Sequence, residues 1–191
     1  MKELIEYIEK NIALSDDIID DLKTIVIERN VEKGELILQE NTSRKIQIFV
    51  ASGCLRAFYK TENDRDHTLQ FATKNWWISD YMTLFNNEKS ILTIESLSHS
   101  KIVIIEQSQL EELYLKFPEF GLINRMNLQN RIASLQKRIF GLLTLTAKEK
   151  YEKFIKDYEV FEKVIPNYQI ASFLGITPES LSRIRKEIAN S

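Results

Sequence analysis

The sequence predicts an α+β protein: an N-terminal antiparallel β-roll, jelly-roll-like, with flanking helices, then a long helix and a C-terminal helix-turn-helix. Three observations predict it. Across residues 29–106, short runs rich in Ile, Val, Phe, Tyr and Thr alternate with turn signals, the pattern of many short antiparallel strands. Between Leu128 and Leu142 apolar residues recur at intervals of four and three. Near the C-terminus, Ala171, Gly175 and Ile176 stand at the offsets of a helical hairpin with a tight turn.

Taken in order, the first elements are helical, over residues 2–12 and 16–28, with Ser15 as a cap and β-branched residues thickening from Thr24. The strand runs are Glu35–Leu38, Ile46–Val50, Leu55–Tyr59, Thr68–Phe71, Ile91–Leu97 and Lys101–Ile105. Trp76-Trp77 and Tyr81–Phe85 interrupt them and read as a short helix across one end of the roll. Ser108 and Glu111 have capping-box spacing, and Pro118 breaks that helix from the long one. In the long helix, Leu128, Ile132, Leu135, Ile139 and Leu142 form a seam suited to a partner helix. Ile123, Met126, Phe140 and Leu143 lie on other faces, for packing on the roll. Thr146 and Glu149 form a second capping box, so Leu142–Thr146 is the expected hinge. This divides the chain into a sensory roll (1–117), a dimerisation helix with its hinge (118–145) and a helix-turn-helix domain (146–191).

In that last domain Gly175 meets the left-handed conformation that ends the first helix, at little cost to glycine. Ile170, Leu174, Ile176, Leu181 and Ile184 share one apolar seam. Thr177 caps the second helix and Pro178 suits its first turn. Ser180, Ser182, Arg183, Arg185 and Lys186 remain outside the seam, which leaves a polar, partly basic helix of the kind that enters a major groove.

Charge agrees with this division of labour. Residues 1–120 carry 14 Lys/Arg against 21 Asp/Glu, a balance of −7, and residues 121–191 carry 12 against 7, a balance of +5. Only the back half suits phosphate. Cys54 is the only cysteine, which excludes an internal disulfide and a cysteine-built zinc or iron–sulfur site. With no signal peptide and no apolar run of membrane length, a reducing cytoplasmic location is expected, away from membranes. No catalytic grouping, phosphate loop or metal-ligand spacing appears, so no enzymatic activity, metal or cofactor is assigned. His67 and His99 sit beside turn residues, as solvated histidines do.

A roll, a long helix with a seam and a terminal helix-turn-helix, in that order, resemble the CRP/FNR family of bacterial transcription regulators. The resemblance rests on Lys33-Gly34-Glu35-Leu36-Ile37, on Ile48-Phe49-Val50-Ala51-Ser52-Gly53-Cys54-Leu55-Arg56, and on Ala171, Gly175, Ile176 and the helix through Arg183. It implies a winged-helix-like domain and a homodimer on a near-palindromic double-stranded DNA site, with half-sites roughly 34 Å apart. It also implies RNA polymerase as a further partner and a small-molecule effector whose identity stays open. On matching positions Pro178, Glu179 and Arg183 stand where the family's base-reading residues lie, but Pro178 replaces the family's frequent arginine, so one base contact is missing there. Arg183 can pair with a guanine edge and Glu179 can accept from cytosine. Thr177, Ser180, Ser182, Arg185 and Lys186 suit phosphates or neighbouring bases.

Relatives that bind cyclic AMP use a Gly-Glu pair and then an Arg-Ser pair. Here Ser79-Asp80 and Lys89-Ser90 stand in those places, with Trp77 nearby. Lysine cannot form the bidentate fork of arginine, so the effector pocket Trp77, Asp80, Lys89 and Ser90 departs from the cyclic-nucleotide pattern. An empty roll, or an apolar ligand against Trp76, Trp77 and Phe85, is the other reading. A second function stays open at this point: a ligand-sensing or protein-interaction module whose hairpin serves only packing.

Overall fold

The computed structural model describes residues 1–63 and 65–190. Helices α1 (Lys2–Glu9) and α2 (Asp16–Ile25) each bury one stripe, Leu4 with Ile8 and Ile18 with Leu22. Ser15 accepts from the Ile18 amide and caps α2. That helix ends before the span its apolar spacing suggests. Val26 and Ile27 instead open β1 (Val26–Val31), because β-branched side chains fit a pleated ladder better than a last helical turn.

Seven more strands follow: β2 (Leu36–Leu38), β3 (Ile46–Ser52), β4 (Leu55–Lys60), β5 (Asp66–Ala72), β6 (Trp76–Ile78), β7 (Thr93–Ser96) and β8 (Ser100–Glu106). They form two four-stranded sheets, ordered β1-β8-β3-β6 and β2-β7-β4-β5. In the first, β1 runs antiparallel to β8, from Val26 opposite Ile105 to Val31 opposite Ser100. The expected roll is present, with one revision. Trp76 and Trp77 are not helical; they pair with Val50 and Phe49 as an edge strand. Only the second half of that stretch coils, as α3 (Tyr81–Asn86).

The alternation of β3 sorts the core. Ile46, Ile48 and Val50 join Leu55, Ala57, Ile94, Ile102 and Ile104 in an aliphatic cluster built from both sheets. Phe49 and Ala51 point the other way, into a second cluster with Leu4, Leu22, Leu110 and Ile123. Trp77 packs on that outer cluster, with its ring 5.3 Å from Phe49.

Helix α4 (Gln107–Lys116) begins one residue before the expected cap, and Glu106 caps it without a side-chain bond. In place of a Ser108–Glu111 box, the Gln107 side-chain Nε2 donates to Glu111 Oε1 at 2.9 Å. Pro118 opens α5 (Pro118–Thr144) at its first turn, where no amide is needed. Thr146 and Glu149 complete a capping box for α6 (Ala147–Tyr158). Helices α7 (Asn167–Leu174) and α8 (Pro178–Ala189) end the described chain. Residues 159–165 form turns, and no strand flanks α6, α7 or α8 among the described residues.

By contact the chain divides into two compact units, one of residues 1–57 with 71–129 and one of 58–70 with 130–191. The distal part of the β4–β5 hairpin therefore belongs to the unit that holds the C-terminal helices.

Candidate nucleic-acid interface

The α7–α8 turn is built as its sequence suggests. Gly175 has φ of 65°, and its amide with that of Ile176 donates to the carbonyls of Ser172 and Ala171. Ile170, Ala171, Leu174, Leu181 and Ile184 are buried, and Ile176 is half-buried. Thr177 Oγ1 accepts from the Ser180 amide at 3.2 Å, and Pro178 takes the first helical position.

With the seam fixed, helical periodicity decides what α8 shows outward. Glu179, Ser182, Arg183 and Lys186 fall on one exposed face, with Thr177 and Pro178 exposed at its start and Ser180 half-buried. The Glu179 carboxyl lies below the usual carboxylate range, held there by its own backbone N–H and by Thr177 at the helix start. It stays ionised at neutral pH and can only accept. Arg185 differs. Its Nε donates to the Tyr151 hydroxyl at 2.8 Å, and its Nη1 and Nη2 donate to Asn167 Oδ1 and Glu162 Oε1. The structure thus turns Arg185 inward, away from the exposed face where the phosphate assignment would put it. The reason is angular: two residues past Arg183 is about 200° around a helix.

The long helix leaves its seam partly uncovered. Ile132 is 65% exposed, Ile139 57% and Leu142 38%, while Leu128 and Leu135 are half-buried. Ile123 is buried in the outer cluster, and Met126 is partly exposed. Phe140 and Leu143, expected to pack on the roll, are instead 64% and 79% exposed. They lie on the turns of α5 beyond the roll's own unit.

The four expected effector residues differ in burial and partners. Asp80 is buried and caps α3, with Oδ1 accepting from the amides of Met82 and Thr83. Its Oδ2 accepts from Ser90 Oγ at 2.8 Å and from the Ile91 amide at 3.2 Å. Lys89 is exposed, and Trp77 faces the outer helical cluster. His67 and His99 are exposed, His99 lying 3.1 Å from Glu32. Among the described residues no group of three His, Cys, Asp or Glu side chains could hold a metal, and no helix is long and apolar enough to cross a membrane.

Comparison with known proteins agrees with both halves. Residues 28–117 match the model of the cyclic nucleotide-binding domain. Over 185 residues, 92% of this chain and 82% of the other, the sequence is 23% identical to the "Probable transcriptional regulator flp" of Lacticaseibacillus casei. The fold is that of FixK2 from Bradyrhizobium japonicum, at a TM-score of 0.75 and 16% identity over 87% of this chain and 85% of that one. A chain from Eubacterium rectale described as a transcriptional regulator of the CRP/FNR family matches at a TM-score of 0.69 and 17% identity, over 92% and 84%. Residues 28–117 thus match a cyclic nucleotide-binding domain, and the whole chain is similar in fold to these regulators.

The roll matches the cyclic nucleotide-binding domain, and in it the Asp80 carboxylate is already engaged. A cyclic phosphate approaching the amides at the start of α3 would meet the Asp80 carboxylate, already bound to four donors. Like charges in one buried place repel. The roll interior is filled by the aliphatic cluster, whose members are at most 7% exposed.

Two features escaped the sequence reading. The first is the Arg185–Tyr151–Glu162 group, whose only signal is that Arg185 falls about 60° from the apolar seam. The second is Arg138, read only as part of the basic balance. Its Nη1 donates to the Leu69 carbonyl, and its Nη2 donates to those of Thr68 and Phe173.

Proposed function

We propose that this chain is a DNA-binding transcription regulator that engages a near-palindromic operator as a homodimer, one α8 per half-site. The observation that carries the reading is the outward face of α8, where Glu179, Ser182, Arg183 and Lys186 stand together on a capped helix braced by the α7 seam. Arg183 would read a guanine edge and Glu179 a cytosine amino group. Thr177, Ser180, Ser182 and Lys186 would meet phosphates and neighbouring bases, with Pro178 packed beside the base edges. The partly uncovered Leu128–Leu142 seam is where a second copy would pair, with α5 against α5. RNA polymerase is the partner that such a complex would meet at a promoter.

The effector is not cyclic AMP on this reading, because Asp80 and Ser90 are spent on each other. Selection of duplexes from random DNA tests the main proposal, and repeating it with cyclic AMP tests the second. Replacing Arg183 with Ala should weaken operator binding by roughly 1–3 kcal/mol and relax one base position. Unchanged affinity for the selected duplex would remove Arg183 from the base-reading set.

A further inference from the structure

We propose that Arg185 is a positioning residue: a part-buried clamp with Tyr151, Glu162 and Asn167 sets the rotation of α8 and so decides where Arg183 and Glu179 point. This rests on the reading of α8 as the DNA-contacting helix. One guanidinium reaches three other segments. It bonds Tyr151 on α6, Glu162 in the turns that follow, and Asn167 at the start of α7. The Tyr151 hydroxyl closes the group by donating to Glu162 Oε1 at 2.6 Å. Tyr151 is 3% exposed, and the Arg185 guanidinium carbon lies 5.5 Å from the centre of its ring. Glu162 neutralises the guanidinium, with side-chain exposures of 15% and 28% for the pair.

The apolar seam alone does not hold rotation this well. Leu181 and Ile184 can slide and turn by small angles at low cost, since dispersion contacts have little directionality. A planar guanidinium held at three of its nitrogens cannot, because each bond fixes both a distance and a direction. A small rotation of α8 about its axis would swing Arg183 away from a base edge, and direct readout needs that geometry kept.

The clamp and a phosphate contact make opposite forecasts, which the full-length protein can separate. Equilibrium binding to the selected duplex and to a scrambled duplex would be measured across a salt series for the wild type, Arg185→Lys and Tyr151→Phe. The clamp predicts that both variants lose roughly 10- to 100-fold on the selected duplex, the scale of a charge-assisted hydrogen bond. Scrambled-duplex affinity and the salt slope should stay at wild-type values. Retained specificity in either variant, or an equal loss on both duplexes with a slope reduced by about one, would overturn the clamp. If the wild type selects no sequence, the DNA reading itself fails. Amide exchange along α8 then decides the clamp alone: faster exchange in both folded variants supports it, and unchanged exchange contradicts it.

Discussion

A β-carbon placed on Gly53 would lie 2.1 Å from Ser100 Oγ and 2.7 Å from the Ser100 backbone, at a φ of 91°. The same carbon on Gly175 would meet only Leu142, at 3.4 Å, with φ of 65°. Gly175→Ala therefore pays mainly for the left-handed backbone, about 1–2 kcal/mol. Gly53→Ala adds a backbone collision that the turn cannot relieve, because Ser98 and Ser100 there both accept from the Cys54 amide. Thermal melting of the two variants should show the larger loss at Gly53; an equal loss would mean the turn can shift. Neighbouring Cys54 is buried, and burial pushes its thiol up to about 12. In the unfolded chain the thiol ionises near 8.5. Above that pH the unfolded chain has lost the proton and the native one keeps it, so this contribution to stability falls as pH rises toward 12. A thiol reagent at pH 8 should accordingly label Cys54 only at the rate of unfolding, and rapid labelling of the native protein would contradict its burial.

At the scale of elements, most of the fold was legible because the deciding signals are local. Ser15, Thr146 and Thr177 are caps in the sequence and caps in the structure. What escaped depends on partners distant in the chain. Trp76 and Trp77 join a sheet because Phe49 and Val50 lie beside them, a pairing no local pattern carries. The start of α4 follows Gln107, whose bond to Gln47 ties it to β3 across sixty residues. Arg138 is a third case. From α5 it binds carbonyls of β5 and the last turn of α7, and its guanidinium carbon sits 4.5 Å from the centre of the Phe173 ring. Ser172 completes the contact by accepting from the Thr68 amide and donating to the Asp66 carbonyl, at 2.9 and 2.8 Å. Arg138→Ala should destabilise this unit by about 2 kcal/mol, the scale of hydrogen bonds to a charged group. Denaturant unfolding would detect it, and an unchanged midpoint would mean that water replaces the guanidinium without loss.

For the molecule as a whole, the capped outward face of α8 was readable in the sequence, and the inward turn of Arg185 was not. Arg183 and Arg185 are separated only by Ile184, and only the completed seam shows that one faces out and the other in. Asp80 and Ser90 are individually fit for a ligand, and the bond that joins them across ten residues is one no local pattern carries. The exposed seam makes its own forecast. Charged residues at Ile132 and Ile139, each more than half exposed in the single chain, should leave the fold intact and give a monomer by sedimentation. A dimer surviving both substitutions would place the interface elsewhere.

The central claim is that paired α8 helices read DNA without cyclic AMP. Selection from random duplexes, run with and without the nucleotide, tests it most directly. The account predicts one enriched near-palindrome with half-sites about one helical turn apart, roughly 34 Å, identical in both arms. No enriched sequence, a single unpaired half-site, or enrichment only with the nucleotide present would contradict it.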